Sequence, residues 1–141
     1  MKKIYLASNI GFSKTQKSQL AAFESVLEGL WYKVLEPFAR NNTGGKAAKQ
    51  LCDADIGDVK KCDAVFAIVN GEPPDVGVAV EVGYAAALGK KIFLYRDDFR
   101  NRSDSTGYPI NLMFMVGNST LYTDFTEMVR KNSDIAKFAK R

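Results

Sequence analysis

The sequence predicts one α/β domain, spanning 1–141 and built on a five-stranded parallel sheet flanked by helices. Three observations carry that expectation. Short apolar runs without a helical stripe alternate with longer amphipathic stretches, the pattern of a parallel sheet with crossover helices. One of the runs, Ala64 to Val69, is apolar throughout and ends in a turn, as a strand covered on both faces requires. Composition agrees: 141 residues suffice for one core, and 46% hydrophobic with 26% charged residues is ordinary for a soluble globular chain.

The elements follow in order. Lys3 to Ala7 is strand one, and Ser8 to Phe12 a turn containing Gly11. Ser13 or Thr15 is placed to cap a helix reaching about Gly29, with Leu20, Phe23, Leu27 and Leu30 on one stripe. Tyr32 to Glu36 is strand two, ended by Pro37, and Phe38 to Gly45 reads as a polar loop. Lys46 to Lys61 is a helix whose apolar side is Leu51, Ile56 and Val59. Strand three, Ala64 to Val69, is followed by a loop of Asn70, Gly71, Pro73 and Pro74. Asp75 then sits where an N-cap belongs, Val76 opens a helix, and Gly89 is a good C-cap. Ile92 to Tyr95 is strand four, and Arg96 to Tyr108 a charged loop. Asn111 to Val116 makes a helical turn or two, and Ser119 to Tyr122 a weak fifth strand. Asp124 caps a last helix running to about Ala139. Right-handed crossovers between these strands imply a flavodoxin-like or Rossmann-like order.

The stretch from strand three to strand four draws the most attention, because its helix carries a single carboxylate, Glu81. Val76, Val80, Gly83 and Ala87 share the 3.6-residue spacing of a face packed on the sheet, with Glu81 at its border. Gly77, one turn earlier, leaves open space into which Glu81 leans, since helical side chains point towards the N-terminus. The helix dipole there favours the ionised carboxylate. The position lies outside the carboxyl end of a parallel strand, where open α/β sheets bind ligands. A solvated glutamate on a helix flank has the same spacing.

Composition removes several chemistries. The chain has no histidine, so Ser-His-Asp, Cys-His and His-ligated metal sites are absent. Cys52 and Cys62 lack Cys-x-x-Cys spacing and read as thiols in a reducing compartment. The apolar run after Lys2 and Lys3 is too short for a signal peptide, and no segment approaches membrane-spanning length, so the expected location is the cytoplasm. The net charge of +4 lacks the dense basic stripe and aromatic support of a nucleic-acid binder. Gly44-Gly45-Lys46 is only a fragment of a phosphate loop, and no dinucleotide fingerprint occurs.

Other acids can reach the carboxyl ends of the strands. Asp75 lies six residues before Glu81; Asp53, Asp55 and Asp58 sit in the second helix; Asp97 and Asp98 follow strand four. Two carboxylates, one nucleophilic and one holding a proton, suit chemistry at a sugar anomeric carbon. Each acid also has a plain structural use, as a cap, a solvated helix face or a loop charge. Tyr5, within strand one, is equally at home in a core.

IYLASNIGFS at 4–13, DADIGDVKKCDAVFAIV at 53–69, DVGVAVEVGYAAALGK at 75–90, YRDDFR at 95–100 and PINLM at 109–113 together resemble the nucleoside 2-deoxyribosyltransferases. The resemblance runs in order over roughly residues 3 to 122, and its most specific part is Asp-x-Gly-x-x-x-Glu-x-Gly-Tyr together with Asn-Leu-Met. It implies transfer of 2-deoxyribose between nucleobases through a covalent glycosyl-enzyme, with a deoxynucleoside and a free nucleobase as partners and no metal or organic cofactor. It implies Glu81 as nucleophile, Asp75 and Asp55 as the acids contacting sugar and base, and Tyr5 as the residue orienting the nucleophile. Further substrate contacts are implied at Ser8, Gly11, Phe12, Gly77, Asp97 and Met113. Asn111 resembles a residue supplied to a neighbouring subunit's site, which implies a homo-oligomer. The related deoxynucleotide N-hydrolases favour a Gly-rich first loop with basic residues for a 5′-phosphate. Here that loop holds one glycine and an aromatic, which favours an unphosphorylated nucleoside. Hydrolysis of deoxynucleosides or their monophosphates is the alternative activity, and Arg96 to Arg102 is the segment able to supply the missing cation.

Overall fold

The computed structural model describes residues 1–40, 44–100 and 107–141. Those residues form a five-stranded, all-parallel sheet in the order β2-β1-β3-β4-β5. The strands are β1 Lys2–Ala7, β2 Tyr32–Leu35, β3 Ala64–Ile68, β4 Lys91–Tyr95 and β5 Asn118–Tyr122. The helices are α1 Lys17–Gly29, α2 Pro37–Arg40, α3 Ala48–Lys61, α4 Val76–Ala87, α5 Phe125–Met128 and α6 Asp134–Lys140. Short 3-10 turns at Ile10–Phe12 and Leu112–Met115 complete the order.

Strand alternation sorts the core into two layers. Ile4 and Leu6 of β1, Phe66 and Ile68 of β3, and Phe93 and Tyr95 of β4 pack with Leu20, Leu27, Met128 and Ile135 on one side. Tyr5, Val65, Ala67, Ile92 and Leu94 pack on the other side with Val59, Val78, Val82 and Ala85. Each large apolar side chain buried in this way contributes about 1.5–3 kcal/mol. Tyr5 is therefore a core residue of the α3–α4 layer, with no exposed surface.

Four sequence expectations are corrected. The face of α4 on the sheet is Val78, Val82 and Ala85, whereas Val76 and Val80 are 76% and 59% exposed. Valine at every second position offers two stripes at helical spacing, and packing chose the other. Helix α1 starts at Lys17 with Gln16 at the N-cap position and no side-chain cap, and the hydroxyls of Ser13 and Thr15 hydrogen-bond each other at 2.9 Å. The stretch after β2 opens with the short helix α2, its Phe38 N–H donating to Glu36 Oε1 at 2.8 Å. The last helix is two helices: Asp124 caps α5, and Ser133 accepts from the Ala136 N–H at 3.3 Å to start α6. The hydroxyls of Tyr32 and Tyr122 hold the Ile135 backbone in place, donating to its carbonyl at 2.7 Å and accepting from its N–H at 3.1 Å.

Candidate active site

A cleft of about 280 Å³ opens at the carboxyl end of β1 and β3. Its lining comes from the loop after β1 (Ser8, Phe12), the start of α2 (Pro37, Phe38), α3 (Leu51, Asp55) and the first turns of α4 (Asp75, Gly77, Val78, Glu81). Three carboxylates thus share one small cavity with two aromatic rings.

Glu81 sits half-buried on the flank of the inward face of α4. The Tyr5 hydroxyl reaches through from β1 and donates to Glu81 Oε1 at 2.8 Å. The sequence expectation of a carboxylate eased into its ionised form does not hold. Burial pushes the Glu81 pKa up to about 7; the Tyr5 hydrogen bond pulls it back in part, and the charges of Asp55 and Asp75 add to the rise. Withdrawal from water outweighs a single donated hydrogen bond and the dipole of a helix whose first turn lies one turn away.

Asp75 caps α4, its Oδ2 accepting the Val78 N–H at 3.0 Å. A Cβ on Gly77 would stand 3.0 Å from that same oxygen, so the glycine gives room to Asp75 as well as to the cleft. Asp55 faces the cleft, whereas Asp53 pairs with Lys49 on the exposed side of α3. Ser8 is 8% exposed, and its Oγ has no hydrogen-bond partner among the described residues, a donor left for whatever enters.

The Phe12 and Phe38 rings meet edge to face, centroids 4.6 Å apart and planes at 88°. Gly11 lies beneath them. A Cβ there would fall 2.3 Å from Phe38 Cδ2, so this glycine admits the ring. Pro37, Phe38 and Leu51 were not expected at the site. An apolar pair directly after a strand's carboxyl end was the signal that could have pointed to the first two.

The remaining expected residues lie elsewhere. Asp97 is tied to Asn70 and Tyr95, accepting at 2.7 and 3.2 Å. Asn111 caps the second 3-10 turn, accepting the Met113 N–H at 2.9 Å, and Met113 is 67% exposed on a separate groove with Ala79, Val82, Gly83, Phe114 and Val116. Arg96 is 1% exposed and does not reach the cleft. Its guanidinium donates to the carbonyls of Val69, Gly71 and Arg100 at 2.7, 2.9 and 2.7 Å, tying the loops after β3 and β4 together. Arg100 pairs with Asp98, and Arg102 lies outside the described residues. Among the described residues, no cluster of His, Cys, Asp or Glu is arranged to hold a metal ion, and no helix is long and apolar enough to cross a membrane.

The profile of the nucleoside 2-deoxyribosyltransferases matches residues 4–113. The chain belongs to that family. The fold agrees with two solved members. A 2-deoxyribosyltransferase from Leishmania mexicana superposes with a TM-score of 0.76 at 25% identity, over 100% of this chain and 99% of that one. A 2-deoxyribosyltransferase from Bacillus psychrosaccharolyticus gives 0.72 at 27% identity, over 96% and 94%. A CMP N-glycosidase from Clostridium botulinum shares the fold, with a TM-score of 0.62 at 24% identity over 92% of this chain and 96% of that one. No curated protein sequence matches. Family membership makes this chain an enzyme of the nucleoside 2-deoxyribosyltransferase family.

Proposed function

We propose that this protein transfers 2-deoxyribose between nucleobases by double displacement on Glu81. The observation that carries the reading is Glu81 itself, a carboxylate facing an acidic, aromatic-walled cleft and held by the Tyr5 hydroxyl at 2.8 Å. Glu81 attacks C1′ of a deoxynucleoside, the N-glycosidic bond breaks, and the leaving base takes a proton from Asp55 or a bridging water. A nitrogen of the acceptor base then attacks C1′ and gives its proton back to Asp55 or the bridging water, the glycosyl ester breaks, and the Glu81 carboxylate is restored. Asp75, which lines the same cleft, contacts the sugar in this reading, and Phe12 with Phe38 forms a wall for the base. Ser8 Oγ supplies a further hydrogen bond.

The cleft lining holds three acids and, among the described residues, no basic side chain, which disfavours a 5′-phosphate. A 2′-hydroxyl withdraws electrons from an oxocarbenium-like transition state and crowds Glu81, so ribonucleosides are poorer substrates. Incubation with deoxyadenosine, its 5′-monophosphate or adenosine, with and without a free acceptor base, tests the reading. The expected result is transfer, with deoxyadenosine preferred by about tenfold or more in kcat/KM. Hydrolysis with no transfer, or the monophosphate as best substrate, replaces this reading with an N-glycosidase.

The same proposal extends to assembly. Val76, Val80, Leu112, Met113 and Met115 are large apolar side chains left exposed along α4 and the 3-10 turn that Asn111 caps. A second copy covering them brings Asn111 to a neighbouring site. Sedimentation is expected to give at least a dimer; an active monomer at micromolar concentration refutes it.

A further inference from the structure

The end of the molecule opposite the cleft carries an unusual residue. Trp31 follows α1 with Leu30 between them, and its backbone is left-handed, with φ of 73°. Its N–H donates to the Glu28 carbonyl at 2.9 Å, closing the helix at the position where glycine is ordinary. A tryptophan there carries backbone strain that a glycine would not. Burial does not offset it, since the side chain is 67% exposed. Neither the turn nor the core accounts for this residue.

Its surroundings suggest a use. Trp31 walls a recess of about 310 Å³ with Gly29, Leu30, Lys131, Ala136 and Lys140. Neither lysine has an ion-pair partner among the described residues. The last twelve residues carry the whole net charge of +4, and 1–129 is neutral. Lys2 lies in the same region, its ammonium 4.6 Å from the Phe138 ring. A second copy of the chain, packed symmetrically on this face, would set lysine against lysine. The complementary partner is an anion with a flat ring.

We propose that this recess is a second ligand site, for a nucleotide whose base stacks on the Trp31 indole and whose phosphates meet Lys131 and Lys140. The chemistry is that of single-nucleotide recognition on an aromatic platform beside cations. The recess size suits one nucleotide and not an extended strand. Its place at the amino end of the strands separates it from the cleft, so it serves binding without competing for Glu81.

Trp31 is the only tryptophan in the chain, so its fluorescence reports this site alone. Titration with adenosine triphosphate is expected to quench the emission saturably, with affinity falling as salt rises. Adenosine, which lacks the phosphates, and tripolyphosphate, which lacks the ring, should each bind at least about tenfold more weakly. The double variant Lys131→Ala with Lys140→Ala should weaken the nucleotide by about tenfold or more while its circular dichroism stays that of the parent. Trp31→Gly should lose calorimetric nucleotide binding at this site yet melt at a higher temperature, because the backbone strain is gone. No saturable quenching by low-millimolar nucleotide overturns the proposal, as does equal quenching in the lysine variant. A response to phosphatidylserine vesicles alone overturns it in favour of a membrane-facing surface. Binding is read without turnover, so none of these results depends on the transferase reading.

Discussion

Glu81 and Asp98 are two carboxylates at the carboxyl end of one sheet, and their surroundings push them in opposite directions. Asp98 follows β4 and accepts from the Gly71 N–H at 3.1 Å, the Arg100 N–H at 3.0 Å and the Arg100 guanidinium. Those bonds to Arg100 hold its carboxyl well below the usual carboxylate range. Glu81 receives one hydroxyl, from Tyr5, and stands among two further carboxylates, with its pKa pushed up to about 7. The first is a carboxylate spent on structure, joining two loops. The second keeps its basicity and its access to the cleft, as the proposed role of nucleophile requires. A count of acids in the sequence does not separate them; the partners each one meets do.

The sharpest way to break the contrast is Glu81→Gln. Under the proposed mechanism the nucleophile is lost, and kcat/KM for transfer should fall by at least about a thousandfold, or ~4 kcal/mol. The same variant tests the electrostatics independently. The folded-state pKa of Glu81 is raised, so protonation stabilises the fold fully below about 4.5, and that contribution is lost as pH rises through about 7. Glu81→Gln should therefore be more stable than the parent at about pH 8, by roughly 3 kcal/mol, with little difference at about pH 4. A folded variant with near-parental activity removes Glu81 from the chemistry; denaturant melts at the two pH values decide the second point.

Tyr5→Phe is the next largest effect. The ring is wholly buried, so phenylalanine fills its space while the donor to Glu81 is lost. That donor favours the ionised carboxylate, so the acid limb of the pH–rate profile should move above its parental position near 7. The rate near neutral pH should drop by about ten- to a hundredfold, recovering in part as pH rises. An unmoved limb shows that the hydroxyl does not act through Glu81.

Asp98→Asn gives the smallest expected change. It weakens the tie between the loops after β3 and β4, so the melting temperature should fall while kcat stays within about threefold of the parent. A loss of activity as large as that of Glu81→Gln erases the distinction between the two acids.

Much of the fold is legible in the residues. Strand and helix alternation, all-apolar β3 and the Asp75 cap need only local pattern, and Glu81 stands out as the single acid in a helix of small residues. Less legible is anything decided by packing. The valines of α4 permit two faces, and the sheet selects Val78 and Val82. The break before α6 was readable from Asn132-Ser133-Asp134, a cluster that stops one helix and caps another, but the two tyrosines that hold Ile135 come from distant strands.

By itself the sequence determined the alternation of five strands with the longer helices and the absence of histidine chemistry, because these depend on residue type and near neighbours. Tertiary structure alone decided which acids share a cleft and how far burial raises Glu81. It also turned Arg96 inward to clamp two loops, and set Phe38 over Gly11. Each of these joins residues far apart in the chain, and an electrostatic or steric effect between them exists only once the sheet has brought them together.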